Sequence, residues 1–328
     1  MTRNEVIGLI LAAVGFGVMA LLPLLQDADY LMGLALNITM FTVLATSWAL
    51  FSGPTHYISL ATAAFYGIGA TVVAVGFEVI PFPVLLGLAA LSGGTLAALV
   101  GLATLRLSGV YFVIFTLGLA ELIRQLVSWV QTNIAQVGSI QVFTDNSENL
   151  IYWELLAMAA LVYLVGWLIE RSRLGFALRI IGNDEVVAAH SGIHSAGSKV
   201  ILFVISGFFA AAVGAVMITK IINFDPDAFY LPIISFQVVI MALLGGVHRL
   251  WGPLLGVIPF TLLWEVIENR FQQPMEMFGY KIVSAGSLKV ILLGVCFLLI
   301  VYYIPRGVVG RVETLARRLV PGGGASHG

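Results

Sequence analysis

Apolar runs of about twenty residues recur along the whole chain, separated by short polar breaks rich in Gly, Pro and charge. A helix rises about 1.5 Å per residue, so a hydrocarbon layer of about 30 Å takes roughly 20 residues to cross. Runs of that kind fall near 6–25, 31–51, 57–77, 80–104, 108–130, 150–170, 198–222, 231–247, 251–267 and 282–304. They predict an all-α integral membrane protein with about ten transmembrane helices, roughly 8–10 in range. The weakest are 57–77, which follows a very short turn, and 231–247, which barely reaches spanning length. The run Val6 to Leu25 exceeds a signal-peptide core and lacks a small-residue cleavage site, so it is expected to stay as a span.

Composition points the same way. Of 328 residues, 60% are hydrophobic and 10% charged, and the mean hydropathy is +1.02; a soluble domain carries about 25% charged residues. The net charge of −1 says little, because placement matters more than the sum. With the N-terminus in the cytoplasm, Arg3, Arg106, Arg171, Arg173, Arg179, Lys199, Arg249, Arg306, Arg311, Arg317 and Arg318 fall inside. Only Arg270 and Lys281 fall outside, with Lys220 near an outer edge, whereas Asp27, Asp29, Glu78, Asp145, Glu148, Asp225 and Asp227 are all outside. Cytoplasmic loops are enriched in Lys and Arg, so both termini and the 171–197 loop are expected in the cytoplasm. Residues 1–320 then form a single transmembrane domain, and the Gly-rich segment 321–328 a disordered tail. Nothing suggests nucleic-acid binding, and the single Cys296 rules out disulfides and a cysteine metal cluster.

The inside loop is a charged island that reads as structured. Gly182 is placed to stop one short helix, Asn183 to cap the next, Asp184 and Glu185 to fill its first turn, and Gly192 to end it. That second helix, over 184–191, offers a small apolar surface through Val186, Val187, Ala188 and Ala189, which suits a partner as well as it suits an ordinary juxtamembrane loop. Catalytic signatures are missing: the chain has no GxxxxGK[ST] phosphate loop, no HExxH pair and no GxSxG elbow. His190 and His194 are four apart, but Gly192 interrupts their helix and no third ligand is evident, so no metal site is assigned.

Charges within spans are the other signal. Glu121 and Arg124 share a helix face with Gln125, either as a polar patch on a translocation route or as a self-satisfied ion pair near the outer interface. Lys289 is placed to snorkel or to reach Glu265. Small residues at Gly67-Ile-Gly69-Ala70, Gly87, Ser92-Gly93-Gly94, Gly118 and Gly245-Gly246 mostly suit close helix packing. Gly and Pro density at Ser52-Gly-Pro-Thr and across 245–253 points instead to broken helices beside a cavity.

Several pieces, in order, carry a family resemblance: Ser59 to Ala70, Tyr111 to Glu121, Arg171 to Ile193, Gly245-Gly246 with Trp251-Gly-Pro253, and Pro305 to Gly310. Over about 33–311 the chain resembles the permease subunits of ABC importers for branched-chain amino acids, in particular the LivM-like half of the pair. It departs from that pattern at His248 and Arg249, which interrupt a glycine-rich turn, and at Thr132 to Gly138. The resemblance implies an ABC importer permease fold in a bacterial or archaeal cytoplasmic (inner) membrane. It also implies a second, LivH-like permease, cytoplasmic ATP-binding subunits and an extracytoplasmic substrate-binding protein. ATP and Mg would sit on the partner ATPase, leaving this chain without a cofactor or enzyme activity. The 171–197 loop would be the ATPase-docking loop, and its coupling residues would be Arg173, Gly175, Arg179, Asn183, Asp184, Glu185, Ala188, Ala189 and Gly192. Tyr111, Thr116, Glu121 and Arg124 would line the pathway. The substrate would be a branched-chain amino acid, with urea, an amide or a small carboxylate as the alternative. An ion-coupled secondary carrier fits less well, since few carboxylates lie inside spans.

Overall fold

The computed structural model describes residues 29–105, 109–134, 140–142, 147–183, 185–221, 223–270, 275–277, 280–283, 291, 294 and 295. The expected first span at 6–25, most of the last at 282–304, Asp184, Lys289, Cys296 and the 321–328 tail lie outside the described residues.

Eleven α-helices of four residues or more follow one another among the described residues. They are α1 (Asp29–Thr55), α2 (Thr62–Gly76), α3 (Phe82–Thr104), α4 (Val110–Asn133), α5 (Glu148–Arg171), α6 (Arg173–Asn183), α7 (Glu185–His190), α8 (Ser195–Met217), α9 (Pro226–Phe229), α10 (Pro232–Gly245) and α11 (Gly252–Arg270). Among the described residues, six stretches are long and apolar enough to cross a membrane: Tyr30–Thr55, Phe82–Thr104, Val110–Asn133, Glu148–Arg171, Ser195–Met217 and Pro226–Gly245. The expected span at 57–77 is shorter than its hydropathy indicates. Residues 56–61 are not helical, and α2 keeps 15 residues, about 22 Å at 1.5 Å per residue. The described residues also form two short antiparallel pairs: β1 (Ile140–Gln141) with β2 (Asn223–Phe224), and β3 (Met275–Met277) with β4 (Tyr280–Val283).

Helices α1 and α8 are central, with 72% of their spanning windows buried, whereas α4 is peripheral with 22%. The centre is built on small residues. A Cβ added to Gly69 or Gly93 would collide with Ala211 of α8; one on Gly207 would meet the Gly93 carbonyl, and one on Gly214 the Tyr66 carbonyl. Helix α8 therefore touches α2 and α3 backbone to backbone, the close approach that small residues permit in lipid. Gly245, Gly252 and Gly256 do the same for the α10–α11 hairpin, where Gly246 turns the chain at φ 114°. The packing expected of the small-residue clusters holds along this seam. Gly87 and Gly118 differ, because nothing lies within 4 Å of a Cβ added there.

Turns assigned to one side by charge converge at one end of the bundle. A Cβ on Gly182 would meet the Pro54 carbonyl at 3.1 Å, and the His56 and His248 rings lie 5.9 Å apart. At the other end Lys220 pairs with Glu148 (Nζ–Oε1 3.3 Å), Arg124 pairs with Asp227, and β1 meets β2. A bulky side chain in the seam has nowhere to go, and overpacking of this kind costs about 1–3 kcal/mol. Gly214→Leu is expected to lower the thermal unfolding midpoint of the detergent-solubilised protein by several degrees, with Gly87→Ala close to the parent; fluorescence-detected melting reads both.

Candidate functional site

The break in the bundle is built from the sequence outward. Pro54 lies within the last turn of α1, and its ring leaves no N–H to continue the ladder. His56 follows with a positive φ of 58°, and 57–61 run non-helical while Ser59, Leu60 and Ala61 stay buried. Backbone groups inside a membrane protein need partners because lipid supplies none. Here side chains from other helices provide them. Leu60 N–H donates to Thr116 Oγ1 (3.0 Å), and Ser235 Oγ donates to the Leu60 carbonyl (2.8 Å). The same Ser235 Oγ accepts from Ala63 N–H (2.9 Å), capping α2 where Ala61 has no side chain to do so. Trp48 Nε1 donates to the Ser59 carbonyl (2.8 Å).

Aromatic rings enclose this break. Phe51 lies 4.9 Å from Phe203, and Phe112 packs edge-on against both Tyr57 (5.3 Å) and Phe203 (6.0 Å). Lys199, buried near the start of α8, places its Nζ 4.4 Å from the centre of the Tyr57 ring. Cation and ring thus pin the break to the first turns of α8.

The charged island forms a helical hairpin. Ser172 Oγ accepts from Gly175 N–H (3.3 Å) at the start of α6, and a Cβ on Gly175 would strike the Ile169 and Glu170 carbonyls. Leu178 and Ile181 are buried against the bundle while Phe176 faces outward. The helix continues through Gly182 to Asn183, one residue past the expected stop, because Gly182 does not take the positive φ with which Gly192 follows α7. The short helix expected over 184–191 is present as Glu185–His190, with Ala188 fully buried and Val187 exposed. Gly192 (φ 76°) follows in the left-handed region, and Ile193 N–H closes on the Ala188 carbonyl (3.0 Å). His190 ends α7, and His194 immediately precedes α8.

On α4, Arg124 binds Glu121 through two hydrogen bonds, Nε to Oε2 (2.9 Å) and Nη2 to Oε1 (2.5 Å), and Gln125 Nε2 also donates to Oε1 (3.0 Å). The Arg124 Nη1 donates to Asp227 on α9, a partner that helical spacing alone does not reveal. Tyr111 is exposed, while Thr116 is buried with its hydroxyl engaged at the break. The four residues expected on the pathway therefore divide: Tyr111, Glu121 and Arg124 face outward to differing degrees, and Thr116 faces in.

A cavity of about 750 Å³ lies between α1, α5, α6 and the 246–251 turn. His56, Glu170, Arg179, His248 and Arg249 are among its lining residues. Burial and, next, the neighbouring His56 hold the His248 imidazole below its ordinary range.

Apolar helices around a satisfied internal break, with a polar hairpin at one end, define a multi-pass helical membrane protein. The chain belongs to the family described as the branched-chain amino acid transport system / permease component, which matches residues 30–301. Over 283 residues it is 24% identical to LivM, the high-affinity branched-chain amino acid transport system permease protein of Salmonella typhimurium, covering 76% of this chain and 63% of the relative. LivM of Escherichia coli K12 gives the same figures. The ribose import permease protein RbsC of Haemophilus influenzae is 26% identical over 137 residues, 40% of this chain and 41% of the relative. The chain thus spans less than two thirds of the LivM relatives' length. No solved structure matches it.

Sequence reading missed Ser235 and Trp48. A lone hydroxyl in the apolar run 232–245 was the available signal for Ser235. An unpaired buried N–H costs about 1–3 kcal/mol. Thr116→Val is expected to destabilise the protein by about that amount, and Thr116→Ser to stay near the parent, as read by thermal or denaturant unfolding in detergent.

Proposed function

We propose that this chain is the membrane-spanning permease subunit of an ABC importer in a bacterial or archaeal cytoplasmic membrane. It would form half of the pathway beside a second, LivH-like permease and take up branched-chain amino acids. The observation that carries the reading is the α6–α7 hairpin standing at the end where the turns assigned to the cytoplasm gather, in a chain of this permease family. In this reading 1–320 is one permease domain of about ten spans with both termini inside. The chain itself is not an enzyme; ATP and Mg belong to cytoplasmic ATPase partners, and an extracytoplasmic binding protein delivers substrate.

The hairpin is the coupling element. Helix α7 would insert into a groove on the ATPase, with Asp184 and Glu185 at its entry, Ala188 and Ala189 keeping it slim, and Asn183 and Gly192 bounding it. Arg173, Gly175 and Arg179 would hold α6 beneath it. The peripheral helix α4, with exposed Tyr111 and the Glu121–Arg124 pair, would contribute a pathway wall, and Thr116 would act behind it through the break. The partial likeness to RbsC keeps other small polar solutes, urea or an amide included, as the second reading.

Two experiments test this. Replacing Asp184 and Glu185 together with lysine is expected to abolish uptake and ATPase co-purification while membrane insertion stays normal; full uptake by the double variant overturns the coupling role. Cells lacking the chain are expected to lose radiolabelled leucine uptake and regain it on complementation, with valine and isoleucine competing and urea not. Unchanged leucine uptake in the deletion strain would sink the substrate assignment.

A further inference from the structure

The cavity beside the hairpin combines two environments. Its floor reaches Thr46, nine residues up α1 from Thr55, a depth of about 14 Å at 1.5 Å per residue. Ala49, Leu50, Leu178, Val247 and Leu250 make this depth apolar. Its mouth carries Arg179, Arg249, His56 and His248, with Glu170 the one carboxylate among the described lining residues. Glu170 interacts with Arg179 and Arg249 as well as with Arg171, so among the described lining residues two guanidinium groups stand against one carboxylate. The two imidazoles, 5.9 Å apart, add hydrogen-bond donors.

A cationic rim over an apolar slot suits an amphiphile with an anionic head. The rim lies at a helix-end level, where phospholipid phosphates are the most abundant anions, and basic pockets between helices on the cytoplasmic side hold such headgroups. Guanidinium groups match phosphate oxygens in pairs. The volume exceeds what a free inorganic anion fills, and the apolar depth gives such an ion no partner.

We propose that this cavity binds the headgroup of an anionic phospholipid, its phosphate held by Arg179 and Arg249 with His56 and His248, and its upper hydrocarbon lying along Leu50, Leu178 and Leu250. Occupancy would brace α6 against α1 and the 246–251 turn, beneath the hairpin. The site is independent of which solute the protein transports. The bound anion favours the protonated over the neutral His248 imidazole, which burial and His56 hold low, so affinity rises as pH falls below the ordinary histidine range, with His56, Glu170, Arg179 and Arg249 the charged or titratable groups lining the cavity with it among the described residues.

The test uses the full-length chain in its native assembly, purified in mild detergent, delipidated, and titrated with phosphatidylglycerol or phosphatidylcholine under native mass spectrometry. One phosphatidylglycerol is expected to bind in preference to phosphatidylcholine and to resist a large excess of inorganic phosphate. Arg249→Gln is expected to weaken it about tenfold, the loss of one charge-assisted contact, and Arg249→Lys, which keeps the charge but not the paired geometry, to weaken it less than Arg249→Gln does. Ala49→Phe leaves every charge in place and fills the slot, so it should also lose the lipid, and it serves if Arg249→Gln does not fold. Equal affinity for the two lipids, unchanged binding in both Arg249→Gln and Ala49→Phe, or displacement by inorganic phosphate alone overturns the proposal.

Discussion

Everything in this bundle answers to one constraint: a backbone that leaves its helix inside a membrane must find hydrogen-bond partners within the protein. Within the non-helical 56–61 segment, the buried Ser59 carbonyl and both Leu60 backbone groups are met by Trp48 from α1, Thr116 from α4 and Ser235 from α10. Two helices distant in sequence, α4 and α10, are thereby fixed with α1 around one short segment. The aromatic layer of Phe51, Phe112 and Phe203, all fully buried, packs beside it. Removing one hydroxyl would leave a buried amide without a partner, a larger loss than the mean worth of a hydrogen bond.

Much of this architecture was legible in the sequence because lipid demands long apolar runs with few charges. The spans at 31–51, 80–104, 108–130, 150–170 and 198–222 all correspond to helices among the described residues. Hydropathy could not separate α2 from the non-helical segment before it, since Leu60 and Ala61 are as apolar as the helix that follows. The Gly-Pro-Thr signal did mark the place where the break begins. Glycines 69, 93, 207 and 214 are understood only when α8 is set against α2 and α3, because sequence gives the spacing of small residues but not their facing partners.

The polar sites divide in the same manner. Glu121 and Arg124 were visible as a local pair because three residues along a helix bring side chains together. Asp227 was not, since it arrives from 103 residues away. Thr116 looked like any pathway hydroxyl until its neighbour proved to be a main-chain amide. Caps made by local residues, such as Ser172 for α6 and Gly192 after α7, follow from sequence order, whereas the cap that Ser235 gives α2 crosses 172 positions.

The backbone-to-backbone seam has a mechanical meaning. Contacts between long side chains absorb small displacements by rotamer changes, whereas main chains in direct contact cannot. Helix α8 starts where the hairpin ends and is wedged against α2 and α3 through Gly69, Gly93, Gly207 and Gly214. If the hairpin is pushed as proposed, a displacement entering at Ser195 would pass to α2 and α3 with little slack, and the three helices would move together as one stiff plate.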